Sequence, residues 1–134
     1  ENKVICSDCH NAHGSAGPSA LNQLTINENC YLCHAEKRGP YLWEHQPVTE
    51  DCTLCHNVHG SNHAALLNKP GPQLCQQCHS SLSGIEGRSH IGRFLDYGNA
   101  SDPGVNRFVV ANNCANCHSK VHGSNHPSGP LLQR

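Results

Sequence analysis

The chain has 134 residues, one domain's worth, and only 36% are hydrophobic and 4% aromatic, less than an ordinary globular interior uses. Lys and Arg (9) nearly balance Asp and Glu (10), which excludes the basic footprint that nucleic-acid binding needs. No run approaches the roughly eighteen apolar residues of a membrane helix, and no basic-then-apolar leader precedes Cys6, so the expectation is a soluble, exported chain without its signal peptide.

The ten cysteines and twelve histidines supply what the apolar residues lack. Every cysteine belongs to a C-x-x-C-H run: "CSDCH" (Cys6, Cys9, His10), "CYLCH" (Cys30, Cys33, His34), "CTLCH" (Cys52, Cys55, His56), "CQQCH" (Cys75, Cys78, His79) and "CANCH" (Cys114, Cys117, His118). At this histidine content, five such neighbours arise by accident with a probability of roughly 10⁻⁵, and the run is the attachment signal of a c-type haem. Two thiols one turn apart reach the two vinyl groups of one porphyrin, and the next side chain points at the iron. A disulfide framework gives no reason for the histidines. Zinc knuckles need two per tetrahedral ion, and five do not divide that way. The reading is five covalent haems, with His10, His34, His56, His79 and His118 as proximal ligands.

In chain order the anchors recur after 24, 22, 23 and 39 residues, an array of modules with one longer insertion. The modules at Cys6, Cys52 and Cys114 continue as "HNAHGSAGPSALN", "HNVHGSNHAALLN" and "HSKVHGSNHPSGPLL", each with a second histidine three or four residues on (His13, His59, His122). These are near modules. Those at Cys30 and Cys75 instead carry a histidine eleven residues beyond the proximal one (His45, His90). These are far modules. The five repeated extra histidines match five second axial positions, while His126 and then His63 are the substitutes. The chain holds no methionine, so Met/His ligation is excluded and bis-His ligation is expected. Three or four residues span at most about 14 Å, too little to pass around a porphyrin edge, so His13, His59 and His122 are expected to ligate neighbouring haems. His45 and His90 can reach either face.

The intervening chain reads as short turns and loops. A helix is expected around Glu28 to Ala35 with Asn27 as its N-cap. "GSAGPS", "KPGPQ", "SLSGIEG" and "NASDPGVN" mark loops, and Phe108 to Ala111 is the one strand-like stretch. Trp43, Tyr31, Tyr41, Phe94 and Phe108 are expected to pack on haem edges. The fold class expected is a multihaem cytochrome c, residues 1–134 forming a single pentahaem domain of short helices and loops wrapped around a row of haems. Without its haems such a chain is expected to be unfolded.

The stretches "CSDCHNAHGS", "NENCYLCHAEKRGPYLWEHQPVTEDCTLCHNVHGS", "PQLCQQCHS" and "NCHSKVHGSNHPSGPLLQR" carry a resemblance. The chain resembles the C-terminal half of the periplasmic decahaem cytochromes of the MtrA and DmsE type, and is similar in layout to small pentahaem redox partners of nitrite reductases. The resemblance implies a nearly linear row of closely spaced bis-His haems, a porin-cytochrome conduit as setting, and metal-respiratory or extracellular electron transfer.

The function expected is electron transfer between redox protein partners or toward an extracellular acceptor, in the periplasm or outside the cell, with no nucleic acid and no transmembrane segment. Two rivals differ in class. A multihaem reductase requires an open axial position, which seven candidate histidines for five places do not force. A cytochrome filament requires end-to-end contacts between copies.

Overall fold

The computed structural model describes residues 4–79 and 113–133. The expected strand at Phe108 to Ala111, the insertion that carries it, His90 and Phe94 lie outside the described residues.

Each anchor motif is one helical turn. The backbone N–H of the proximal histidine donates to the carbonyl of the first cysteine in all five motifs: His10 to Cys6 at 2.8 Å, His34 to Cys30 at 2.9 Å, His56 to Cys52 at 3.0 Å, His79 to Cys75 at 2.9 Å and His118 to Cys114 at 2.9 Å. That turn brings both thiols and the imidazole to one side of the backbone. It forms α1 (Cys6–Cys9), the end of α2 (Ile26–Tyr31), the end of α4 (Gly71–Gln76), and 3₁₀ turns at Cys52–Leu54 and Cys114–Asn116. Helix α3 (Gln46–Glu50) links the second and third modules. Among the described residues no strand forms; extended pairing is limited to the single bridges His10–Leu21, Trp43–Ser124 and His56–Leu67.

Two sequence expectations change locally. The N-cap of α2 is Thr25, whose hydroxyl accepts from the Glu28 N–H at 3.1 Å. Asn27 lies inside the helix because its amide serves the next module, as described below. Helix α2 ends at Tyr31 rather than reaching Ala35, and the "KPGPQ" stretch opens α4 instead of forming a plain loop. Pro72 falls in the first turn of α4, where its missing N–H costs nothing and its fixed φ suits a helix.

Among the described residues no apolar side chain is buried, while Leu24 and Leu42 are 72% and 62% exposed. Among the described residues the buried ones are Asn27, Asn29, Gly123 and Ser124. The described residues alone form a hydrogen-bonded frame with no hydrophobic core, and so lack the term that normally offsets chain entropy.

Candidate functional site

The near modules at Cys6 and Cys52 fold alike. After the anchor the chain loops out and returns, so that Asn11 N–H donates to Ala20 O at 2.8 Å and Asn57 N–H to Leu66 O at 2.7 Å. The return places a carbonyl against the proximal imidazole: His10 Nδ1 lies 2.9 Å from Ser19 O, and His56 Nδ1 lies 2.8 Å from Ala65 O. Ser19 and Ala65 hold φ of 52° and 56°, the left-handed region that costs an L-residue about 1–2 kcal/mol. The strain sits where the carbonyl must face the ring. Asn22 and Asn68 brace the returns: their Nδ2 groups donate to Ser7 O and Asp8 O at 3.1 Å, and to Thr53 O and Leu54 O at 2.9 and 3.3 Å. The last module repeats the device, His118 Nδ1 lying 2.6 Å from Leu131 O beside left-handed Leu132. An Nδ1–H held by a carbonyl fixes the tautomer and leaves Nε2 bare as a metal donor.

Histidines from separated modules come together as ring pairs. His10 faces His59 with centroids 6.0 Å apart and planes 16° from parallel. His45 faces His79 at 6.1 Å and 23°, and His56 faces His122 at 6.2 Å and 12°. A metal–imidazole bond of about 2.0 Å puts the centroids of two trans imidazoles about 6.2 Å apart. The donor set therefore fits a haem iron between each pair. His45 is oriented like the anchors, with Nδ1 2.8 Å from Val121 O. Burial first, then the charge of Lys37, lowers the pKa of His122, which keeps that imidazole neutral and able to ligate.

His126 has the opposite polarity. Its Nδ1 accepts from the Ser128 N–H at 3.2 Å, so the neutral ring carries its proton on Nε2. His63 touches the frame through its backbone N–H, which donates to Ser61 Oγ at 3.0 Å. Among the described residues no ring pair includes His13 or His34; His34 Nδ1 lies 3.8 Å from a Glu36 carboxylate oxygen.

Thiols of successive modules also meet. Cys30 and Cys52 are near enough to interact, as are Cys75 and Cys114. As free thiols, before any thioether forms, burial reinforced by these neighbours pushes Cys52 and Cys75 up to about 11. None of the ten cysteines is in a disulfide. The Cys30–Cys52 junction is pinned by Asn27, which donates to Val48 O at 2.9 Å and Thr49 O at 3.2 Å and accepts from the Cys52 N–H at 2.8 Å.

A clasp between residues 40–45 and 121–126 holds His45 and His122 on one scaffold. Trp43 and Ser124 exchange backbone hydrogen bonds at 2.9 Å. Trp43 Nε1 donates to His126 O at 3.0 Å, and Leu42 N–H donates to Asn125 Oδ1 at 2.7 Å. Tyr41 covers Gly123 so closely that a Cβ there would lie 2.2 Å from its Cδ2. Trp43 and Tyr41 thus pin one ligand segment to another, and Tyr31 stacks under the Arg38 guanidinium, 5.7 Å from the ring centre. Sequence reasoning did not find this clasp, the Asn27 pin or the carbonyls of Ser19, Ala65 and Leu131. The only signal was the recurrent stretch after each Gly-Ser that begins at these carbonyls, "SAL", "ALL" and "LLQ".

Comparison with known proteins agrees with the motif reading. The doubled CXXCH motif family matches residues 1–39 and 45–84. The multiheme cytochrome MtrA of Shewanella baltica is 58% identical over 132 residues, covering 98% of this chain. The chain spans 38% of that relative's length. No helix among the described residues is long and apolar enough to cross a membrane. Ten cysteines in C-x-x-C-H runs, described residues without an apolar core and these two matches place the chain in the doubled CXXCH motif family, with the haem-attachment motifs of a multihaem c-type cytochrome.

Proposed function

We propose that residues 1–134 form one pentahaem unit that conducts electrons along a row of bis-His haems. It works in periplasmic or extracellular transfer of the metal-respiratory kind, between redox protein partners or toward an extracellular acceptor, with porin or end-to-end cytochrome contacts at its ends. The axial pairs are His10 with His59, His79 with His45, and His56 with His122. The haems supply one-electron carriers whose potentials follow axial ligation, hydrogen bonding and burial.

The observation that carries this reading is the set of three ring pairs at 6.0, 6.1 and 6.2 Å. Each pair joins residues of different modules, so the ligands also hold the modules together. Ser19 O, Ala65 O and Val121 O orient His10, His56 and His45 through Nδ1. The proximity of Cys30 to Cys52, and of Cys75 to Cys114, would bring the attachment points of successive haems near each other, as electron transfer requires. An electron carrier needs no open iron, and the three pairs leave none at His10, His56 and His79.

The test is carbon monoxide uptake by the reduced holoprotein before and after His59→Ala and His122→Ala. Each substitution is expected to add about one carbon monoxide per chain, because each exposes one iron. If neither changes the uptake, the axial pairing is wrong.

A further inference from the structure

The clasp puts two axial ligands in one register. Trp43 and Ser124 exchange both backbone hydrogen bonds at 2.9 Å, the pattern of an antiparallel pair whose opposed side chains stand on one side. Counted two residues on from this bridge, His45 falls opposite His122. Successive side chains of extended backbone alternate, so Trp43 and His45 share a face with Ser124 and His122. From this one pair of segments the two rings reach different anchors, His45 facing His79 and His122 facing His56.

The two ligands are also joined directly. His45 Nδ1 lies 2.8 Å from Val121 O, and that carbonyl belongs to the peptide unit that carries the His122 nitrogen. The orientation of one ring therefore depends on the backbone of the other. His10, His56 and His118 take their carbonyls from their own modules, at Ser19, Ala65 and Leu131; His45 takes its carbonyl from the segment that bears another ligand. His45 is held on its own side by α3, where the Val48 N–H donates to the His45 carbonyl at 2.9 Å. Residues 121–126 are tied to it through side chains: Trp43 Nε1 donates to His126 O at 3.0 Å, and Asn125 Oδ1 accepts from the Leu42 N–H at 2.7 Å. When those ties go, His122 leaves His56 and Val121 O leaves His45 in the same movement.

We propose that Trp43 and Asn125 are positioning residues for electron transfer along the array, and that through them His45 and His122 are set, and released, as one unit. The inference rests on the axial pairing proposed above. The sites at His56 and His79 then keep or lose their second imidazole together. They are also tuned together, because the Val121 carbonyl that makes His45 a more basic ligand sits in the peptide that seats His122.

The experiment uses the reduced holoprotein of residues 1–134, titrated with carbon monoxide. A Trp43→Phe, Asn125→Ala chain keeps an aromatic ring at 43 and removes the ties to His126 O and from the Leu42 N–H. It is expected to take up about two more carbon monoxide per chain than wild type, in one steep step with a Hill coefficient of about 2. Asn125→Asp in the Trp43→Phe background restores an acceptor for the Leu42 N–H, and is expected to bring the uptake back toward wild type. Spectroelectrochemistry gives a second readout: in the Asn125→Ala chain two potentials rise together and the others hold, whereas general loosening moves them all. A rise of about one, or of about two in independent steps, overturns the proposal; so does an unchanged uptake, or a failure of Asn125→Asp to rescue. His122→Ala separates this inference from the pairing beneath it. If that variant adds about one carbon monoxide and the clasp variant does not add about two, the pairing stands and the coupling falls. If His122→Ala adds none, the pairing itself is refuted.

Discussion

Asn27 is 7% exposed and sits where two haem modules meet, so its removal tests whether the frame is held by polar pins. Asn27→Ala deletes the donors to Val48 O and Thr49 O and the acceptor for the Cys52 N–H. Each such bond is worth about 1 kcal/mol net, and a buried N–H left unpaired costs about 1–3 kcal/mol. The expected loss is about 2–4 kcal/mol, a fall of roughly 10 °C in Tm for a chain of this size. Asn27→Asp keeps the acceptor for Cys52 but turns a carboxylate toward two carbonyls, and is expected to lose at least as much. Thermal unfolding of the holoprotein, followed by the Soret band and by far-ultraviolet circular dichroism, measures both variants, with exposed Glu50→Ala as control. An Asn27→Ala protein within about 0.5 kcal/mol of wild type, the range of neutral surface changes, would falsify the claim that this amide fixes the Cys30–Cys52 junction.

Gly123→Ala drives a Cβ into the Tyr41 ring at a backbone φ of 132°, and is expected to open the clasp and release both His45 and His122; carbon monoxide uptake rises, and Tyr41→Ala in the same chain lowers it again. Ala65→Pro forces φ to about −65° and removes the carbonyl from His56 Nδ1; the less basic imidazole raises that haem's potential by up to about 45 mV, one hydrogen bond of about 1 kcal/mol on a one-electron couple. Ala65→Gly keeps the left-handed turn, and spectroelectrochemistry should find its potentials unchanged. The ring planes of the three pairs lie within 23° of parallel, which splits the iron π orbitals, so these haems are expected to give rhombic low-spin EPR signals; an oxidised spectrum made up wholly of large-gmax signals contradicts the geometry. Chemical removal of the haems is expected to unfold the chain, read as loss of helical circular dichroism, since no described apolar side chain is buried without them.

The sequence by itself determined the chemistry. Thioether attachment depends on local spacing, and C-x-x-C-H closes one helical turn in all five places, so the runs were legible as haem-attachment motifs. The two module types were legible too, because a repeat displays its functional residues at fixed offsets. The helix cap was misplaced because Asn27 has a stronger cap propensity than Thr25, and only a neighbour 25 residues away decides which one is spent locally. The tertiary structure alone decided which histidine meets which anchor, since His10 with His59 and His56 with His122 are choices of chain path that no local preference encodes. It alone showed the left-handed turns at Ser19 and Ala65 and the clasp at Gly123, where conformation is imposed by long-range contacts that outweigh the intrinsic cost of the backbone.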